Sequence, residues 1–527
     1  MEMMERAEHR RDAALACLDS AEQAARGQFF TPPAVAGIMA RMVRMSRLPE
    51  SGVIRILDPG AGTGMLSVAV ASYLRAARPN LTLELTAVEN DPDLLPALRE
   101  ALEDCARLGA TVTLVPENYI EWAPRARQYF DLIIQNPPYH KLRVGSPDDV
   151  ALRAHGIQVP NVYAAFIALG IRQLTPQGQM VAISPRSWMN GTYYSHFRKD
   201  LTNRVSLDAI HTFESRSLIF GDMDVLQESL IMCVSAGIQG DRILIRSSMD
   251  AYAPVRERTV SAAEVIRSNA IFVPASQSDS DAVSWMESFP YTLADLGLSV
   301  STGKVVGFRC KEIVHTDPDL RSQRLIYPAN IVDHRVVHPR ATLSKPQWIH
   351  PVDSAGLKLL CPAGSYVLVK RFSSKEEARR IVSAVWTSAE PSAFDNKLNY
   401  IHESGGGLDP VLARGIALWL NSPQIDAYFR VFSGHTQVNA TDLRLLKFPD
   451  RHALVSYSLG HTMKNMDKKP LEQKDSPLLQ LWKNGDVQEA TILWPGLRKL
   501  ASTPAEPTPD EPAASEILKQ MREEERY

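Results

Sequence analysis

Cysteine is scarce: Cys17, Cys105, Cys233, Cys310 and Cys361 are the five in 527 residues, and no two stand at CxxC spacing. An odd, scattered set argues against a disulfide scaffold or a zinc site and fits a reduced cytoplasmic protein, with no metal expected. Long apolar runs are missing too, so nothing approaches the roughly 18 residues of a membrane span. The first twenty residues, MEMMERAEHRRDAALACLDS, mix charges throughout and do not read as a secretory leader. No repeat appears at a period of about 20–50 residues, which sets aside solenoids and propellers. Charge of one sign is also lacking, with 58 Lys+Arg against 60 Asp+Glu. The balance hides a split, because Tyr291–Asp450 holds 19 Lys+Arg against 15 Asp+Glu and six of the 13 His. That excess leaves room for a polyanionic partner without identifying one.

What remains is ordinary globular composition, 45% hydrophobic and 22% charged, long enough for two to four domains at about 150 residues each. A helix is expected from Arg10 to Ala25, closed by Gly27. From Gly52 to Val234 short apolar runs alternate with helical patterns. The strands expected are Val53–Leu57, Leu83–Glu89, Thr111–Val115, Phe130–Gln135, Gln179–Ser184, Leu207–Thr212 and Val225–Cys233. Between them Met65–Arg78, Pro92–Leu108, Asn161–Leu174 and Tyr193–Thr202 read as helices. Such alternation implies an α/β fold, a doubly wound and mostly parallel sheet with ligands at the carboxyl ends of its strands. It fades after about Gln239. The organisation expected is an N-terminal helix (1–26), a catalytic domain (27–240), a connecting segment (241–290), a mixed α/β domain (291–450), a helical piece (451–501) and a Pro-rich linker with a charged tail (502–527).

Two motifs carry chemistry. In ILDPGAGTGML, Ile56–Leu66, an apolar strand ends at Asp58, and Gly60, Gly62 and Gly64 let the backbone turn tightly beneath a ligand. The dinucleotide pattern GxGxxG fails at Met65. Glu89, in AVENDP, stands at the end of the next strand, where a carboxylate accepts hydrogen bonds from both hydroxyls of a ribose. A nucleoside-containing cofactor follows from the pair. The second motif is DLIIQNPPYHKL, Asp131–Leu142. Pro137 and Pro138 lack amide donors, which leaves carbonyl acceptors at a strand end beside the Asn136 side chain and the flat ring of Tyr139. Such a group suits a planar NH2, held at both hydrogens with a ring stacked on its plane.

DPGAGTG and NPPY together resemble the amino-methyltransferases that use S-adenosylmethionine. With GQFFTPP, Gly27–Pro33, ahead of them, the order is similar to that of the gamma-class, TaqI-like adenine-N6 DNA methyltransferases. LGLSVSTGKVVGFR, Leu296–Arg309, and LNSPQIDAYFRVFSGHTQVNATDLRLLKFP, Leu420–Pro449, resemble type II modification enzymes of that group. The resemblance covers roughly residues 20–450. It implies a seven-stranded methyltransferase sheet, a C-terminal target-recognition domain, and methyl transfer to N6 of a flipped adenine in duplex DNA within a restriction-modification system. It also implies roles. Thr31 and Pro32 contact the methionine end of the cofactor, Asp58, Gly60 and Gly62 line it, and Glu89 holds its ribose. Asn118, followed by Tyr119, stands where the family often has an acid for the adenine. Phe220, or its rival Phe213, stacks on the target base opposite Tyr139. Lys304, Arg309 and Arg444 contact phosphates, and His435, Gln437 and Asn439 lie in the polar loop that reads bases. A companion restriction endonuclease acting on the same site and a monomeric, cytoplasmic bacterial enzyme complete the expectation.

The implied chemistry is economical. A sulfonium methyl is already electrophilic, so the task is to localise the delocalised amino lone pair of adenine, through acceptors at Asn136 and the Pro137 carbonyl. The base leaves the duplex to reach them. Rival readings are a glutamine or RNA amino-methyltransferase, which lacks a large recognition region, and a methyltransferase-like DNA-binding subunit that needs a separate specificity partner.

Overall fold

In LTLELTAV, Leu81, Leu83, Leu85 and Ala87 are buried while Thr82 and Glu84 face solvent, the period of two that makes a half-covered strand. A computed structural model describes residues 2–17, 27–214, 229–267, 270–373, 378–432 and 437–460. Nine strands of it form one sheet: β1 (Gly52–Pro59), β2 (Leu81–Val88), β3 (Ala110–Val115), β4 (Phe130–Gln135), β5 (Leu174–Pro185), β6 (Val205–Phe213), β7 (Ser229–Ala236), β8 (Arg242–Ser248) and β9 (Arg256–Ser261). Their order is β3-β2-β1-β4-β5-β7-β6-β8-β9. The first five run parallel, and β7 lies antiparallel between β5 and β6.

The seven expected strands are all present, but the sheet has nine. β8 pairs parallel with β6 and β9 antiparallel with β8, so the sheet runs on into residues read from sequence as a connecting segment. RERTVS, the outer strand, is charged and mostly exposed, as an edge strand tolerates. It carries little apolar signal of its own.

Helices cover both faces: α1 (Glu2–Cys17), α2 (Pro33–Arg41), α3 (Met65–Ala77), α4 (Leu95–Arg107), α5 (Tyr119–Ala126), α6 (Pro147–Ala154), α7 (Val162–Arg172) and α8 (Ser195–Arg204). The first begins eight residues before the expected Arg10, and residues 18–26 lie outside those described. Along β4, Leu132 and Ile134 join Ile56, Val70 and Leu98 in one core, whereas Ile133 joins Leu57, Tyr163 and Ile167 in the other. A strand buried on both faces explains why FDLIIQ reads as an unbroken apolar run.

The order reverses direction between β1 and β4: the chain winds from β1 toward β2 and β3 on one side, and from β4 toward β5 on the other. A crevice opens above the carboxyl ends of strands at such a switch point. Beyond the sheet, residues 299–402 build a six-stranded and a five-stranded sheet, followed by helices Pro410–Leu420, Pro423–Phe432, Ala440–Leu445 and Arg451–Ser458. The described residues up to Leu459 pack as one compact unit. Among the described residues no helix is long and apolar enough to cross a membrane.

Candidate functional site

The turn after β1 is fastened to its neighbour by backbone. The Gly60 and Ala61 amides donate to the Val88 carbonyl at 2.8 and 3.0 Å. Gly60 and Gly62 sit at φ of +69° and +56°, and a Cβ on Gly60 would come within 3.2 Å of the Phe166 ring. Left-handed backbone and close approach both call for glycine there. The Glu89 carboxylate is held beside this turn. One oxygen accepts from the Gly62 amide at 2.9 Å, the other from the Asn90 and Asp91 amides at 2.8 Å each. Burial raises its pKa above the usual carboxylate range, and those amides pull it back.

At the end of β4, the Asn136 side-chain nitrogen donates to the Phe29 carbonyl at 2.6 Å and to Thr31 Oγ1 at 3.1 Å. A backbone carbonyl only accepts, so this contact sets the amide orientation. Asn136 Oδ1 is left buried with no hydrogen-bond partner. The two loops meet a second time where the Tyr139 amide donates to the Gly27 carbonyl at 3.0 Å. Gly27, at φ +59°, has no space for a side chain, since a Cβ would lie 2.8 Å from the backbone nitrogens of Tyr139 and His140. A third tie joins the upstream loop to the end of β2, as Gln28 donates to Asp91 at 2.9 Å.

These loops enclose a cavity of about 440 Å³. Of the residues singled out from the sequence, Thr31, Gly60, Gly62, Glu89, Asn136 and Pro138 line it. Phe29, Phe30, Asn90, Asp91, His140 and Phe166 line it too and were not singled out. Most of these adjoin a motif, but Phe166 comes from the apolar helix α7, where nothing distinguishes it from core. Two left-handed glycines that allow close backbone approach and a carboxylate that can accept from hydroxyls fit a ligand such as S-adenosylmethionine.

Other expected members stand back. Asp58 is fully buried beneath the turn and does not line the cavity. It accepts from Ser67 Oγ at 2.7 Å, its second oxygen has no partner, and burial pushes its pKa up to about 7. Pro32 is the residue ahead of α2. Asn118 caps α5 by accepting from the Ile120 amide, and its nitrogen donates to Asp148 at 3.0 Å. Pro137 does not line the cavity, and neither does Tyr139, which is 8% exposed. The Tyr139 ring packs 5.3 Å from Phe29 and 6.1 Å from Tyr163. Phe213 is buried against His211 in the core. Phe220 lies outside the described residues.

In the C-terminal part, Lys304 donates to the carbonyls of Lys358 and Leu360 at 3.1 Å, and Arg444 to that of Val300 at 2.9 Å. Both cations brace backbone. Arg309 is exposed, with its guanidinium over the Phe308 ring. The Arg371 guanidinium donates to Gln437 at 3.3 Å, and Asn439 starts the helix Ala440–Leu445 in a capping box with Asp442. His435 lies outside the described residues.

Residues 88–220 match the family model described as Eco57I restriction-modification methylase. The type II methyltransferase M.BsuBI of Bacillus subtilis is 36% identical over 483 residues, 87% of this chain and 94% of that protein. M.PstI of Providencia stuartii is 33% identical across 84% of this chain and 91% of its own length. Among solved structures, the type IIL restriction-modification enzyme MmeI in complex with DNA aligns with a TM-score of 0.50 at 12% identity, over 88% of this chain and 70% of that one, a likeness of fold. With identity of this extent along nearly the whole of two relatives, the chain belongs to the type II methyltransferases of restriction-modification systems, and its cofactor is S-adenosylmethionine.

Proposed function

We propose that this methyltransferase modifies N6 of adenine in duplex DNA at a specific sequence. The observation that carries the reading is the orphaned, buried oxygen of Asn136, a residue that lines the cavity beside Gly60 and Gly62. A buried acceptor left unpaired costs about 1–3 kcal/mol. A substrate that brings an N–H donor removes that cost, and an exocyclic amine brings two.

The cofactor, when bound, supplies a methyl group made electrophilic by its sulfonium. Everything else falls to the chain. Thr31, Gly60, Gly62 and Glu89 hold and orient the cofactor. Asn136 Oδ1 and the Pro137 carbonyl accept from the two amino hydrogens, which favours a pyramidal nitrogen with its lone pair aimed at the methyl. The same acceptors stabilise positive charge as it develops on that nitrogen. Because Asn136 is already fixed by Phe29 and Thr31, its dipole needs no reorganisation during the reaction.

The purine reaches the Tyr139 face as the chain around that ring opens, and we assign the opposite face to Phe220. The basic block Tyr291–Asp450 grips phosphates and reads base edges. A separate endonuclease protecting the same sequence, and action as a monomer, one strand at a time, belong to this reading.

The test is transfer from methyl-labelled S-adenosylmethionine to duplex DNA, with nucleosides analysed after digestion. N6-methyladenine is expected, and sequencing of modified positions gives the target. Label in RNA or protein but not in DNA overturns the reading.

A further inference from the structure

Tyr193 is 86% exposed, on the loop that follows the carboxyl end of β5. β5 lies next to β4, whose last residue precedes Asn136, so this loop leaves the sheet at the same end as Asn136, one strand away. Loops with such tips are ordinarily loose, but this one is held. The buried guanidinium of Arg198 donates to three carbonyls of its path, Trp188 and Asn190 at 2.8 Å each and Gly191 at 2.5 Å. Gly191 takes φ +74° and the Ser195 amide closes the turn on the Thr192 carbonyl at 3.1 Å. Asn190 also donates to the Phe432 carbonyl at 3.0 Å, tying the loop to the helix that leads into Ser433–Arg444.

The adjacent residue connects the loop to the NPPY motif. The Tyr194 ring stacks 6.0 Å from Tyr163, and Tyr163 lies 6.1 Å from Tyr139. Tyr194 also donates to Asn161 at 2.8 Å. Tyr193 is thus an aromatic side chain facing solvent, on a stiffened turn two ring contacts away from the candidate base pocket. Tyr252, equally exposed at 84%, follows β8, which lies four places from β4 in the sheet.

We propose that Tyr193 enters the duplex at the target step, occupying the stack that the adenine vacates. This rests on the adenine reading above and adds a residue to it. Side chains that wedge between base pairs are apolar or flat, and they compensate unstacking with their own surface. A rigid turn suits the task, because a tip already ordered loses little entropy on insertion.

The experiment compares the full chain with Tyr193→Ala, Tyr193→Trp and Tyr252→Ala on two duplexes carrying the methylated sequence. In one the target adenine is paired with thymine, in the other it faces an abasic site. Stacking on one base is worth about 10- to 100-fold in rate. Tyr193→Ala is expected to lose about that on the paired duplex and to match the parent opposite the abasic site, with S-adenosylmethionine affinity unchanged. Tyr193→Trp retains activity on both, and Tyr252→Ala behaves as the parent. With 2-aminopurine at the target, the fluorescence rise on binding falls in Tyr193→Ala. Equal loss on both duplexes, or no loss on the paired one, overturns the proposal. A parent enzyme that methylates neither duplex overturns the adenine reading instead.

Discussion

Asn136 donates to the Phe29 carbonyl at 2.6 Å, across 107 residues of chain, and that contact decides which end of its amide faces the cavity. On the function proposed above, the upstream loop takes part in catalysis through the orientation of this one side chain. Replacing Asn136 with Ala is expected to lower kcat by about 10²–10³-fold, the usual loss for one preorganised polar group. Cofactor affinity, measured by calorimetry, is expected to stay within a few-fold of the parent.

Gly27→Ala tests the same coupling from the other side. A Cβ there meets the backbone of Tyr139 and His140 at 2.8 Å in a left-handed conformation, a combination that costs about 1–3 kcal/mol. The variant is expected to melt several degrees lower and to lose activity as the two loops part. Thermal melts beside methylation rates give the answer, and an unchanged rate at parental stability contradicts the coupling.

Glu89 tethers the glycine turn and faces the cavity. Glu89→Ala removes the acceptor for the Gly62, Asn90 and Asp91 amides as well as the proposed ribose contact. Cofactor Kd is expected to rise by about tenfold or more, each 1.4 kcal/mol being a factor of ten. Glu89→Gln, which keeps an acceptor oxygen, is expected to fall between the two.

Asp58 makes a pH prediction. Burial raises its pKa from 3.8 to about 7, so the folded state binds the proton more tightly than the unfolded chain does. Between about pH 4 and pH 7 the folded form holds more protons at this site, and its contribution to stability declines as pH rises through that window. Asp58→Asn removes the titration and can still accept from Ser67. Its Tm is expected to vary less with pH across that range than the parent's, and parallel curves would argue against it.

All three expected phosphate contacts are exposed, but Lys304 and Arg444 also donate to backbone carbonyls. Arg309→Ala is expected to reduce the slope of log K for DNA against log salt by about one. Lys304→Ala is expected to lower Tm instead. Binding titrations at several salt concentrations separate the two.

The strands β1 to β7 were legible because the signal for each is local. An apolar run that ends in glycine or proline and gives way to a helical period declares itself within a dozen residues. β8 and β9 were not, since RERTVS is too charged to signal a strand and RILIRSS offers only a three-residue apolar run, so both are fixed by the neighbours they pair with. The NPPY and glycine motifs stood out for a related reason: their residue types restrict the backbone wherever they occur.

Position in the fold decided what residue type left open. Asp58 and Glu89 both carry carboxylates at the ends of adjacent strands, and nothing along the chain ranks one above the other. Packing turned Asp58 down toward Ser67 under α3 and left Glu89 facing the crevice. Asn118 suits a cofactor edge and a helix cap equally well, and here it caps α5. The run of residues determined which groups this protein has for its chemistry and which strands bring them to one edge of a sheet. Only the tertiary structure chose which of them meet the cavity, because a side chain's surroundings are set by elements a hundred residues away.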